Sequence, residues 1–90
     1  MKDLQSLSPL RKLEDRIRNV VDHVSIRGVT DGPFLYASHH GRAIEASTNG
    51  GKWWIEFWER SDEELASSVR ESSGISEVDA LQELLTWLNG

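Results

Sequence analysis

Two glutamates and two tryptophans near the middle of the chain are the residues whose types and spacing could support chemistry. Trp54, Glu56 and Trp58 alternate along one segment, and Glu45 lies on the other side of a glycine-containing turn. Because alternate residues of a strand point to the same face, the first three would share a face if this segment is a strand. Aromatic rings beside carboxylates suit a Lys or Arg side chain, which they bind through cation–π contact and charge pairing. These residues therefore predict a site for a cationic group.

Paired carboxylates such as Glu45 and Glu56 can also act as acid and base, but the rest of the sequence lacks the motifs of an enzyme. It contains no Ser/His/Asp arrangement with a recognisable turn, no phosphate-binding loop and no dinucleotide fingerprint. His39 and His40 are adjacent and point to opposite faces if the strand reaches them, so we expect surface loop histidines and not a metal site shared with His23. The absence of cysteine excludes a thiol nucleophile, a cysteine-ligated metal and a disulfide scaffold. We therefore expect no enzyme activity, no metal and no cofactor.

Segments with strand composition carry the candidate residues. Three of them are well marked: 34–39, 42–48 and 52–59. The short turns at 40–41 and 49–51 join them, so they are expected to pair as an antiparallel meander. Residues 24–27 are expected to add a strand before the meander, and residues 67–72 a short edge strand after it. The acidic segment 61–66 is either a loop or a single helical turn.

An amphipathic helix is expected at each end of the chain. Ser8 can cap the first helix and Pro9 suits its first position, because proline lacks the amide that would be unpaired there. This helix is expected to end at about Asp22. Ser76 can cap the second helix, and the final Asn89-Gly90 is a natural stop. Apolar residues at helical spacing form a stripe on each helix: Leu10, Leu13, Ile17, Val20, Val21 and Val24 on the first, and Val78, Leu81, Leu84, Leu85 and Leu88 on the second.

The order of these elements predicts an α+β fold formed by one domain over residues 1–90, with residues 1–8 as a flexible tail. The antiparallel meander of three to five strands is expected to pack with the two helices as a two-layer sandwich, in the order α-β-β-β-(β)-α. Antiparallel sheets commonly leave one face to solvent, and such a face is available for binding.

The hairpin loops decide which residues oppose one another across the sheet. The first loop sets Tyr36 opposite Glu45. A second loop at residues 50–51 sets Glu45 opposite Glu56, which is a destabilising like-charge pair, whereas a loop at residues 49–50 avoids that pair. The two registers differ by two positions, so both give the same pair of faces.

One face, which we call the core face, is almost entirely apolar and consists of Leu35, Ala37, Ile44, Ala46, Trp53, Ile55 and Phe57. The opposite face, which we call the second face, mixes aromatic residues with carboxylates and consists of Phe34, Tyr36, Glu45, Trp54, Glu56 and Trp58. If both helices cover the core face, these six residues form an exposed protein-binding surface. If a helix or loop covers the second face, Trp54 and Trp58 are ordinary core, because tryptophan is highly buried on average.

The net charge of −5 is distributed unevenly along the chain. Residues 1–53 contain eight Lys or Arg and six Asp or Glu, whereas residues 54–90 contain two and nine. The acidic end disfavours a nucleic-acid partner and favours a cationic one, although acidic surfaces also serve solubility. No run approaches the roughly 18 apolar residues that span a bilayer, and the first residues lack the apolar stretch of a secretory signal. We therefore expect a cytoplasmic protein that binds neither nucleic acid nor membrane.

Helix, three strands, helix is also the order of double-stranded RNA-binding domains, but the second helix here is acidic where that family is basic. In its acidic, tryptophan-rich and cysteine-free composition the chain is similar to many small bacterial immunity or inhibitor proteins, which cover a basic surface of a toxin or nuclease. The sequence thus predicts a small, acidic, non-catalytic protein-binding module that engages a basic partner. The alternatives are a domain that self-associates through the second face and a small-ligand domain, which would need a pocket lined by Glu45 and Glu56.

Overall fold

Two helices and five strands follow one another in the part of the chain that the structure describes. The computed structural model describes residues 2–30, 32–60 and 68–90, with side chains from Leu7 onward. The elements are α1 (Lys2–Ile17), β1 (His23–Arg27), β2 (Phe34–His39), β3 (Arg42–Asn49), β4 (Lys52–Trp58), β5 (Arg70–Ile75) and α2 (Glu77–Asn89). The strands form one antiparallel sheet in the order β1-β2-β3-β4-β5. The predicted α+β class and meander are therefore confirmed, with five strands.

Both helices lie on the core face of the sheet. Leu13 and Ile17 of α1 and Leu84 and Leu88 of α2 belong to one buried cluster with all seven residues of that face. Contacts of α1 extend over β1, β2 and β3, and contacts of α2 over β2, β3 and β4. The two helices therefore share one side of the sheet, and neither packs against the second face.

Helix α1 begins at Lys2 and ends at Ile17, which differs from the predicted span. Pro9 lies inside the helix, where it cannot donate to the carbonyl group four residues earlier. Leu7 and Leu10, on either side of the proline, are both buried, and burial of apolar surface offsets the lost hydrogen bond. The backbone of residues 2–8, assigned to a tail by the sequence pattern, is therefore helical, and residue 1 lies outside the described residues. At the other end Val20 is half-exposed and not part of the apolar stripe.

The two hairpin turns set the register of the central strands. His40 and Gly41 have φ values of 53° and 81°, both positive as a type I′ turn requires, and Tyr36 lies opposite Glu45 as predicted. In the second hairpin Gly50 and Gly51 occupy the loop with φ values of 61° and 81°.

A loop at residues 49–50 was therefore the wrong alternative. Asn49 pairs with Lys52 as the last pair of the hairpin, and the Thr48 hydroxyl donates to the Lys52 carbonyl oxygen at 2.8 Å. Gly50 and Gly51 both adopt positive φ without steric cost, whereas a loop at residues 49–50 would place the side chain of Asn49 at the first loop position. The consequence for the second face is that Glu45 lies directly opposite Glu56.

Helix α2 is held at both ends and along its side. The Ser76 hydroxyl accepts a hydrogen bond from the Asp79 amide at 3.2 Å, which confirms the predicted N-cap. Near the other end the Trp87 indole donates to the Trp58 carbonyl oxygen at 3.0 Å, and the Arg42 guanidinium lies 4.6 Å from the Trp87 ring centroid. Trp87 therefore fixes the end of α2 against β3 and β4.

The edge strand β5 begins three residues later than the predicted 67–72 strand. Val69 precedes it and is exposed, and the predicted loop or helical turn at 61–66 lies outside the described residues. A bulge interrupts the β4–β5 pairing, because Trp53 lies opposite Ile75 while Ile55 lies opposite Ser72. The bulge therefore determines which residues of β5 lie opposite the second-face residues of β4.

Candidate functional site

The six residues predicted to form a site lie on the second face, but their exposure differs. The side chains of Trp54 and Glu56 are exposed, Phe34 and Glu45 are half-buried, and Tyr36 and Trp58 are buried. Trp54 retains 40% of its surface, whereas Trp58 retains 4%. The predicted set therefore separates into an exposed part and a buried part.

The buried part is a small hydrophobic cluster near one end of the second face. Tyr36, Ala43 and Trp58 form it, and Phe34 packs against it. The Arg27 guanidinium lies 4.0 Å from the centroid of the Tyr36 ring. These contacts leave Tyr36 and Trp58 little surface for a partner, so we assign them a supporting role beneath the exposed residues.

The exposed part surrounds a concave space of about 590 Å³. Phe34 and the preceding loop border it on the β2 side, and Trp54 borders it on the β4 side. Ser47 of β3 lies directly opposite Trp54 and contributes to the lining. Glu45 and Glu56 also line this space, so the pocket that a small-ligand domain would need is present.

Three glutamates lie side by side across the second face. Glu45 of β3 is paired with Glu56 of β4, and Glu56 is paired in turn with Glu71 of β5. Directly opposed residues have Cβ atoms about 4.5–5.5 Å apart, and like charges at this distance are destabilising. Neither Glu56 nor Glu71 forms an ion pair with another residue in the ranges that the structure describes. We call Phe34, Glu45, Trp54, Glu56 and Glu71 the second-face site.

Sequence reasoning missed Glu71 as a member of the site. It lies within the predicted edge strand, but β4 ends at Trp58 and β5 begins at Arg70, too far apart in sequence for a hairpin loop to fix the register, and the bulge shifts their pairing. The period of two could have placed Glu71 on a face only if the register had been known.

The loop between β1 and β2 positions Phe34 at the border of the site. The Gly32 amide donates to the Gly28 carbonyl oxygen at 2.9 Å, which closes the loop. Gly28 has a φ of 67°, and a Cβ atom added there would lie 2.7 Å from the Gly32 carbonyl oxygen and 3.2 Å from the Phe34 ring. Only glycine therefore allows the loop to approach Phe34 this closely.

Of the two adjacent histidines, His39 is the last residue of β2 and half-buried, whereas His40 is exposed, as expected of a surface loop histidine. His40 lies in the turn after β2, and its ring stacks on that of His39 with 3.8 Å between centroids. The Asp22 carboxylate accepts a hydrogen bond from the His40 amide nitrogen at 3.2 Å, and it lies 3.3 Å from His39 Nδ1 without a hydrogen bond to that atom. Asp22 thus connects the segment after α1 to the β2–β3 turn. Within residues 2–30, 32–60 and 68–90, no group of three or more His, Asp or Glu residues is arranged to hold a metal ion.

Comparison with known proteins adds no functional assignment. The chain matches no protein-family model, no curated protein and no solved structure. Neither described helix has the length and apolar character needed to cross a membrane.

Replacing Glu56 by Gln should stabilise the fold, because Glu56 is the central member of the glutamate row. We expect the free energy of unfolding at low ionic strength to rise by about 0.2–1 kcal/mol, the usual magnitude of a cross-strand pair. The gain should shrink as salt is added, because salt screens exposed charges. Urea unfolding curves at two salt concentrations would measure it.

The matched control is Glu59→Gln, which removes the same charge from an exposed position just beyond β4. It should change stability less than Glu56→Gln. Equal effects of the two substitutions, or a loss of stability in Glu56→Gln, would contradict the repulsion that we ascribe to the row.

Replacing Gly28 by Ala should destabilise the fold more than replacing Gly50 by Ala. Both glycines have similar φ values, 67° and 61°, so both substitutions carry the cost of a left-handed alanine, about 1–2 kcal/mol. At Gly50 the added Cβ meets no atom within 4 Å, whereas at Gly28 it meets the Gly32 carbonyl oxygen. Chemical denaturation of the two variants compares these costs, and an equal loss in both would show that the approach to Gly32 is not constrained.

Proposed function

We propose that this chain is a small non-catalytic protein-binding domain that engages a basic surface of a partner protein through the second-face site, in the manner of an inhibitor. The observation that carries the proposal is an exposed tryptophan beside a row of three glutamates. Trp54 and the row both border the same concave space, on the side of the sheet opposite the two helices. No catalytic step is part of the proposal.

The glutamate row is a placement that a sequence optimised only for stability would avoid. Directly opposed like charges weaken a sheet, and local choices that oppose the fold tend to occur at functional sites. A cation placed over Glu56 and Glu71 would convert their mutual repulsion into attraction. The row therefore favours a positively charged ligand over a neutral or acidic one.

The wider distribution of charge supports a protein partner over an isolated small cation. Residues 54–90, which carry two basic and nine acidic side chains, include most of β4 and all of β5 and α2. Charges spread over such an area speed the encounter with an oppositely charged protein and help to orient it. We also propose a cytoplasmic setting, supported by the absence of cysteine from the sequence.

Self-association is the second candidate, favoured by one observation. Arg27 of β1 and Glu71 of β5 lie at opposite edges of the sheet, so the second face carries both signs of charge. A second copy could therefore place its Arg27 near the glutamate row. The proposed site would then serve assembly, and its function would depend on the oligomer.

A lysine hexapeptide is a defined probe for binding at the second-face site. Titrated into isotope-labelled protein, it should shift the NMR signals of Trp54, Glu56 and Glu71 and leave the outer surface of α1 unchanged. Trp54→Ala should weaken binding about two- to fivefold, the equivalent of an exposed cation–π contact of 0.5–1 kcal/mol. Added salt should weaken peptide binding to both the wild type and Trp54→Ala.

The matched control is Val78→Ala, which removes an apolar side chain that is 73% exposed on α2. It should bind the peptide like the wild type. Shifts spread over all acidic residues, including Glu77 and Asp79, would contradict a localised site. Sedimentation of the peptide-free chain at high micromolar concentration tests the second candidate, because a monomer excludes self-association in that range.

A further inference from the structure

The concave space lies between two aromatic residues, and we call the gap between them the slot. Phe34 of β2 and Trp54 of β4 lie on the second face with one strand, β3, between them. Ser47 of β3 lies opposite Trp54 and directly beyond the Leu35–Ala46 pair that joins β2 to β3. Neighbouring strands are about 4.8 Å apart, so the two aromatic residues are rooted about 10 Å apart with a small residue between them.

A slot of this width suits a flat group. A planar group in van der Waals contact with a ring lies about 3.5–4.0 Å from it, so contacts with a ring on each side span about 7–8 Å and fit between residues that are rooted about 10 Å apart. The glutamates lie at one end of the slot, because Glu45 and Glu56 are two residues along their strands from Ser47 and Trp54 on the same face. A planar cation in the slot would therefore meet rings at its faces and carboxylates at its edge.

A group in the slot should be planar, to stack on a ring, and charged, to pair with a carboxylate. Arginine meets both requirements better than lysine. The guanidinium group is planar, can stack on an aromatic face and still donates hydrogen bonds in its own plane to a carboxylate. The lysine ammonium is a compact and strongly hydrated charge without such a plane. A slot bordered by rings at its sides and acids at its end therefore distinguishes between them.

Elsewhere in the chain an arginine already lies against an aromatic ring and a carboxylate at the same time. The Arg70 guanidinium lies 4.4 Å from the Phe57 ring centroid and at the same time 2.7 Å from the Glu83 carboxylate. Arg27 over Tyr36 and Arg42 over Trp87 are two further stacked pairs, at 4.0 and 4.6 Å. In the part of the chain that the structure describes, no cation lies over Trp54, although Glu56 beside it could pair with one.

We infer that the partner supplies an arginine whose guanidinium enters the slot between Phe34 and Trp54 and is held at its edge by Glu56. This inference rests on the proposed function and narrows it from any basic surface to one that presents arginine. Trp54 provides the stacking surface and Glu56 the charge-assisted hydrogen bond. Glu71 adds attraction from the neighbouring strand.

Three pentapeptides of sequence Lys-Lys-X-Lys-Lys test the inference, with X as arginine, lysine or citrulline. Citrulline is planar like arginine but uncharged, and lysine is charged but not planar. Their dissociation constants would be measured on the wild-type chain by NMR titration. We expect the arginine peptide to bind about two- to fivefold more tightly than the lysine peptide, because a planar guanidinium can stack on Trp54 and pair with Glu56 at the same time, which a lysine ammonium does less well. The citrulline peptide should bind most weakly.

Trp54→Ala should abolish the preference for arginine over lysine, whereas Val78→Ala should keep it. Equal binding of the arginine and lysine peptides at the second-face site would overturn the inference and leave the proposed basic partner intact. Binding of none of the three peptides would overturn both. The comparison of the arginine and lysine peptides on the wild-type chain tests the inference even if Trp54→Ala fails to fold.

Discussion

Burial of one side of β4 is the interaction on which the rest of the structure depends. Trp53, Ile55 and Phe57 alternate along this inner strand and belong to the buried cluster to which both helices contribute, each with almost no exposed surface. Since a strand has a period of two, burying these residues directs Trp54 and Glu56 to the opposite face. Once both helices occupy the core face, neither remains to cover the other. The exposed tryptophan is therefore a direct consequence of how the core is built.

The glutamate row depends on a turn that lies well away from it. Because Gly50 and Gly51 form the loop of the second hairpin, Glu45 and Glu56 are brought into register. A loop one residue earlier would have separated them while keeping the same core face. The chain thus combines a stable core with an unfavourable charge arrangement on its other side. A basic partner would relieve that repulsion, which links the stability of the free domain to its proposed binding.

Local rules were sufficient for much of the fold, and non-local contacts decided the rest. The His40-Gly41 turn, the Ser76 cap and the two sheet faces follow from turn chemistry, capping and periodicity. The start of α1 did not, because Pro9 is typical of a helix start, whereas the helix continues upstream of it with Leu7 and Leu10 buried on either side. The difference between the buried Trp58 and the exposed Trp54, and the place of Glu71 in the site, were also beyond sequence reasoning. The first depends on packing across the second face, and the second depends on a bulge next to an edge strand.

The most direct test of the central claim is the solvent exposure of the two sheet faces in the native chain. A neutral, soluble paramagnetic agent broadens the NMR signals of side chains that it can approach, without attraction to or repulsion from the glutamates. We expect the ring signals of Trp54 to broaden much more than those of Trp53 and Phe57, with exposed Val78 as the reference. Protection of Trp54 equal to that of Trp53 would show that the second face is covered, and would contradict a binding site there.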